Sequence, residues 1–72
     1  LPEVDLPAGD PVHLPAALAG WFGVSTSEAR RWIAQGGVRV DGDVAGSLDV
    51  ERDSLSGKVV QAGKRRFVRV RS

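Results

Sequence analysis

A chain of 72 residues makes one small domain, and its formal charge is only +1. With no cysteine present, neither a disulfide framework nor a thiolate zinc site supplies stability, so a well-closed apolar core has to. No apolar run approaches the roughly twenty residues of a membrane span, and no signal-peptide pattern is present; the expectation is a cytoplasmic module that does not engage a membrane.

Leu1 to Pro11 carries Pro2, Pro7, Pro11, Gly9 and the acids Glu3, Asp5 and Asp10 without a sustained apolar period. Residues 1–12 are therefore read as a linker or tail, and residues 13–72 as the domain. The leading Leu-Pro without an initiator methionine suggests a chain cut from something longer. Leu14, Ala17, Leu18, Trp21 and Phe22 fall at i, i+3, i+4, i+7 and i+8, one stripe of a helix. Pro15 is tolerated in a first turn, and Gly23 closes the helix. Trp21 and Phe22 at this spacing are read as core rather than as a base-stacking platform.

A second helix follows at once. Ser25 and Glu28 have the spacing of a capping box, in which the glutamate reaches back to the cap. Ala29, Trp32 and Ile33 form its buried stripe, and Gly36-Gly37 ends it. Two short helices joined this tightly pack as an angled pair. Val38-Arg39-Val40 alternates as a strand, Asp41-Gly42 is a hairpin-turn signal, and Val44 starts the return. Between Ala45 and Gly57 the expected anchors are Leu48, Val50 and Leu55. Lys58–Gln61 and Arg66–Arg71 read as two strands about a turn containing Ala62-Gly63-Lys64, with Val68 and Val70 on one face and Arg69 and Arg71 on the other. The fold class is α+β, two short packed helices against a small, mostly antiparallel sheet.

Divided along the chain, the charge is far from neutral. Lys58, Lys64, Arg65, Arg66, Arg69 and Arg71 close the chain with no acid among them, whereas Asp41, Asp43, Asp49, Glu51 and Asp53 face only Arg52. A basic terminal segment of this kind suits a nucleic-acid partner. It equally suits a solvated strand face balanced by the acidic stretches.

Catalytic chemistry has no foundation here. His13, the only histidine, stands at a helix start, where it is read as a cap or surface residue. No cluster of His, Asp and Glu has metal-ligand spacing, and Ser25, Ser27, Ser47, Ser54 and Ser56 have no evident base beside them. Asp41 and Asp43 flank Gly42 as turn residues. Gly36-Gly37 lacks the lysine-serine pair of a phosphate loop. The expected function is binding, with no catalytic residue, metal or cofactor.

Ser25-Thr26-Ser27-Glu28-Ala29-Arg30-Arg31-Trp32-Ile33, running into Gly36-Gly37-Val38-Arg39-Val40-Asp41-Gly42, resembles the S-four RNA-binding domain, also called the alpha-L motif. The family pattern is a hydroxyl-basic-Ser-Glu-Ala-Arg-Arg-Leu-Ile helix followed by a Val-x-Val-Asn-Gly strand; Thr26 and Asp41 depart from it. The tail from Leu55 through Gly63-Lys64-Arg65-Arg66-Phe67 to Val70 is similar to the closing hairpin of the C-terminal domain of bacterial tyrosyl-tRNA synthetases. The resemblance implies a helical pair on a small sheet, and RNA contact by Ser25, Ser27, Arg30, Arg31, Arg39, Lys64, Arg65 and Arg66. It implies a structured RNA partner, tRNA(Tyr), gripped near its long variable arm and anticodon stem. The parent would be a homodimeric tyrosine-tRNA ligase whose catalytic domain binds ATP and tyrosine. Two other readings stay open: the RNA-targeting domain of a pseudouridine synthase or ribosome-associated protein, and a protein-interaction module docking its basic strand on an acidic partner.

Overall fold

Apolar periodicity and two glycine stops divide the first half of the chain. The computed structural model describes residues 1–71; Ser72, the last residue of the expected domain, lies outside the described residues. Helix α1 spans Leu14–Phe22 and helix α2 Thr26–Ala34. Gly23, at φ 69° and ψ 36°, closes α1 in the left-handed conformation that only glycine adopts cheaply, and its N–H returns to the Ala19 carbonyl at 2.9 Å. At the end of α2, Gly36 N–H reaches the Ile33 carbonyl at 3.0 Å and Gly37 N–H reaches that of Trp32 at 2.9 Å. This paired closure satisfies two of the helix's last carbonyls and turns the chain directly into a strand.

A five-stranded sheet lies against the helix pair in the order β1 (Glu3–Val4), β7 (Arg66–Val70), β6 (Val59–Ala62), β3 (Val38–Val40), β4 (Asp43–Val44). All its pairings are antiparallel except that of β1 with β7, which is parallel. Asp41 at φ 51° and Gly42 at φ 88° make the two-residue β3–β4 turn, the left-handed pair that matches strand twist. A second ladder joins β2 (Val12–His13) to β5 (Asp49–Val50), and a single turn of helix, α3 (Arg52–Leu55), leads into β6.

The core sits where the inward face of the sheet meets α1 and α2. Val38, Val60, Val68 and Val70 from the strands close on Leu14, Leu18, Ala29 and Ile33 from the helices, with Leu55 of α3 beneath them. Burying each larger aliphatic chain contributes about 1.5–3 kcal/mol. Trp21 and Phe22 are half-buried and pack against this core.

The segment expected as linker or tail over 1–12 is extended, and it is docked on the domain. Arg69 N–H donates to the Pro2 carbonyl at 2.8 Å and Arg71 N–H to that of Val4 at 2.9 Å. Arg52 reaches the Pro7 carbonyl, and its backbone N–H reaches Asp10 Oδ1 at 3.4 Å. Val12 is 2% exposed. Proline and charge content disguised a segment whose carbonyls accept from β7, Arg71 and Arg52. Leu48 corrects another expectation: its side chain is exposed, and its carbonyl is the anchor, accepting from Leu14 N–H at 2.7 Å.

Leu55 is fully buried, at 0% exposure, and is the one side chain that ties α3 to the core. Leu55→Ala is expected to destabilise the domain by roughly 2–5 kcal/mol in urea unfolding, with the spread set by how far α3 collapses into the space.

Candidate nucleic-acid interface

Helix α2 presents its polar faces through a cap that sequence spacing only half describes. Ser25 Oγ accepts from Glu28 N–H at 3.1 Å, as the capping signal requires. The Glu28 carboxylate, however, does not complete the box. It accepts from Trp32 Nε1–H at 3.0 Å through Oε1 and pairs with Arg31 through Oε2. Both partners lie one turn further along the helix, at i+4 and i+3, the positions a side chain meets on its own face. Trp32 is half-buried rather than part of a closed stripe.

Trp32 is also where the two halves of the site meet. Phe22 of α1 packs its ring edge-on, with centroids 6.1 Å apart and planes at 68°. Arg66, from the start of β7, places its guanidinium carbon 4.9 Å from the Trp32 ring centroid, within reach of the ring's negative quadrupole. Sheet register explains why Arg66 points there. It pairs with Ala62, which pairs with Val38, and directly paired residues share a face; Arg66 thus extends the inward row beyond the core's edge. The neighbouring Gly63 N–H donates to the Gly37 carbonyl at 2.8 Å. The tip of the β6–β7 hairpin, with Lys64 and Arg65 exposed, is thereby fixed against the C-terminal end of α2. Cations are favoured there by the negative end of the helix dipole.

Arg39 does not join this group. Its register partners are Gln61 and, beyond it, Phe67, on the sheet face turned away from the helices. Its guanidinium donates to the Gly42 carbonyl at 3.3 Å. Ser27 and Arg30 are exposed and three residues apart, on the flank of α2 next to the Glu28–Arg31 strip. Of the eight residues named from the sequence, only Arg31 and Arg66 belong to one connected set, bridged by Glu28 and Trp32. Lys64 and Arg65 lie beside it, Ser27 and Arg30 on an adjacent strip, and Arg39 lies across the sheet. Ser25 is occupied as a cap.

Not all the basic tail is available to a partner. Among the described residues, Lys58 Nζ lies 3.7 Å from Asp41 Oδ2, and Arg71 is 3.4 Å from Asp5 Oδ1. Arg69 stands beside Glu3 in the β1–β7 register. Asp41 also accepts from Val59 N–H at 3.1 Å, so its carboxylate is engaged with β6. The residues missed from the sequence are Glu28 and Trp32 as a bridge, although their i, i+4 spacing was there to be read. His13 caps α1 by position only, and its Nδ1 meets Asp49 Oδ1 at 3.0 Å. No group of His, Asp and Glu suited to a metal ion occurs among the described residues. No described helix is long and apolar enough to cross a membrane.

Known proteins resemble the chain over these same elements. Residues 21–50 match the S4 domain family. The chain is 42% identical over 71 residues to the tyrosine--tRNA ligase of Moorella thermoacetica, covering 97% of this chain and 17% of that protein. It is 42% identical over 78 residues to the corresponding ligase of Trichormus variabilis, covering 97% and 19%. For that of Syntrophotalea carbinolica the figures are 36% over 72 residues, covering 99% and 18%. The chain thus spans less than a fifth of the length of these relatives.

The two serines separate a structural from a surface role. Ser25→Ala is expected to cost about 1 kcal/mol of stability through loss of the cap. Ser27→Ala should stay within about 0.5 kcal/mol, and paired urea titrations measure both.

Proposed function

From the premise that the chain carries an S4 domain, an RNA-binding fold, we propose that it is the non-catalytic tRNA-binding domain of a tyrosine-tRNA ligase. In this reading it occupies the C-terminal part of the parent and holds tRNA(Tyr) in place for aminoacylation. The parent's remaining domains would bind ATP and tyrosine and set its oligomeric state, and the setting would be the cytoplasm. The observation that carries the reading is the fixing of the cationic hairpin tip to α2 by the Gly63–Gly37 hydrogen bond and the Arg66–Trp32 stack. Cations from two elements distant in sequence are thereby offered together, which suits the phosphate backbone of a folded RNA better than a single acidic side chain.

Arg30, Lys64 and Arg65 take part in none of the ion pairs formed among the described residues, so binding a phosphate breaks no internal pair. Arg31 meets Glu28 through Nη2 alone, so the rest of its five-donor guanidinium remains open to a phosphate while the pair is kept. Arg39, on the far face, is assigned a peripheral contact at most. The relatives being tyrosine--tRNA ligases supports this reading over the targeting domain of a pseudouridine synthase. The pairing of Lys58 with Asp41 and of Arg71 with Asp5 leaves fewer unpaired cations in the basic tail for docking an acidic protein.

Titration of the chain with a labelled bacterial tyrosine tRNA transcript tests the proposal, with an unrelated tRNA and an acidic protein as competitors. Binding should weaken with salt at a slope of about −0.7 to −0.9 per phosphate contacted. Replacing Arg30 and Arg31 together by alanine should leave folding intact and weaken binding by at least about 1.5 kcal/mol, the low end for a hydrogen bond to a charged group. Unchanged affinity in that double variant removes α2 from the interface. Preference for the acidic protein replaces the RNA reading with a protein-docking one.

A further inference from the structure

We infer that Glu28, although an anion in the middle of a cationic surface, is a positioning residue for RNA binding. The inference rests on the RNA-binding reading above and assigns that surface its internal scaffold. Its two carboxylate oxygens have separate tasks. Oε1 holds the Trp32 indole N–H at 3.0 Å, and Oε2 holds the Arg31 guanidinium. The Trp32 ring in turn supports Arg66, 4.9 Å above its centroid, and is braced from the other element by Phe22. One carboxylate thereby fixes, directly or through one ring, a cation from α2 and a cation from β7.

Long cationic side chains lose rotamer freedom on binding, and that loss weakens the complex unless they are already ordered. In the free protein Arg31 is paired with the carboxylate and Arg66 is stacked on the ring, contacts that narrow their rotamer choice before RNA arrives. Glu28 adds a negative charge that repels phosphate, and it removes the larger obstacle of two unordered guanidinium groups. The usual capping-box role would need the same carboxylate at the Ser25 backbone N–H; the side chain is instead turned along the helix toward Trp32 and Arg31.

The sign of one substitution separates positioning from simple electrostatics. If Glu28 acted only as an anion, its removal would tighten RNA binding. If it positions the cations, Glu28→Ala should weaken binding of the tyrosine tRNA transcript about 5-fold at roughly 0.1 M salt, while Glu28→Gln, which keeps an acceptor for Trp32, should bind within about 2-fold of the parent protein. Because Glu28 acts on Arg66 through Trp32, the Glu28→Ala loss should shrink below about 3-fold in an Arg66→Ala background; a loss caused only by a weakened helix would be the same in both backgrounds. Thermal unfolding confirms that each protein is folded at the assay temperature. Should Glu28→Ala not fold, Trp32→Phe keeps a ring beneath Arg66 and the Arg31 pair but removes the indole N–H, and it should weaken binding about 2-fold, the share that passes through Arg66. Glu28→Ala binding as tightly as the parent or tighter overturns the inference, as does an undiminished loss in the Arg66→Ala background. If Glu28→Ala does not fold, Trp32→Phe binding as tightly as the parent overturns it. A parent protein that shows no salt-dependent binding of the transcript overturns the RNA reading itself, and the inference with it.

Discussion

The hydrogen bond from Gly63 N–H to the Gly37 carbonyl is the joint on which the surface depends. Gly37 is the residue at which α2 becomes β3, and Gly63 is the residue at which β6 becomes the hairpin tip. Each belongs to a turn with little freedom. A Cβ on Gly37 would stand 3.3 Å from the Trp32 carbonyl that closes the helix, and Gly63 has φ 70°. Joining them places the Lys64-Arg65-Arg66 tip at one end of α2 regardless of how the cationic side chains themselves move. Backbone thus sets the coarse position of the charges, and Trp32 and Glu28 set the fine one.

Charge in this chain is sorted by what the fold places opposite it. Arg52 is consumed by the carbonyls of the N-terminal segment, Lys58 by Asp41, and Arg71 by Asp5. These cations close the molecule. The hairpin tip and the Ser27–Arg30 strip of α2 are left facing solvent. The same basic tail divides between its residues: Lys58 and Arg71 stand against acids, whereas Lys64 and Arg65 face solvent.

Most of the architecture was legible because it is written locally. The helical stripe from Leu14 to Phe22, the Gly23 and Gly36-Gly37 stops, and the Asp41-Gly42 turn each need only a few adjacent residues to specify them. Three features were not legible, and each depends on a partner distant in sequence. The strand at Glu3–Val4 exists because β7 has a free edge. Leu48 matters through a carbonyl, which carries no side-chain signature. Arg39 and Arg66 are both strand arginines, and only the register with Gln61 or Ala62 decides which of them shares a face with α2. Glu28 failed differently: its spacing fitted two roles, and the indole at Trp32 outcompeted the cap backbone for the carboxylate.

The parallel pairing of Glu3 with Arg69 has a kinetic consequence. The helix pair and the two hairpins join residues close in sequence, so their loops close at small entropic cost. Docking β1 on β7 closes a loop of nearly the whole chain, and only a two-residue strand is gained by it. This element is expected to assemble after the rest of the sheet and to open before it. Its amides would then exchange hydrogen sooner than those of β6, giving the molecule a slow-closing seam along one edge of an otherwise locally built fold.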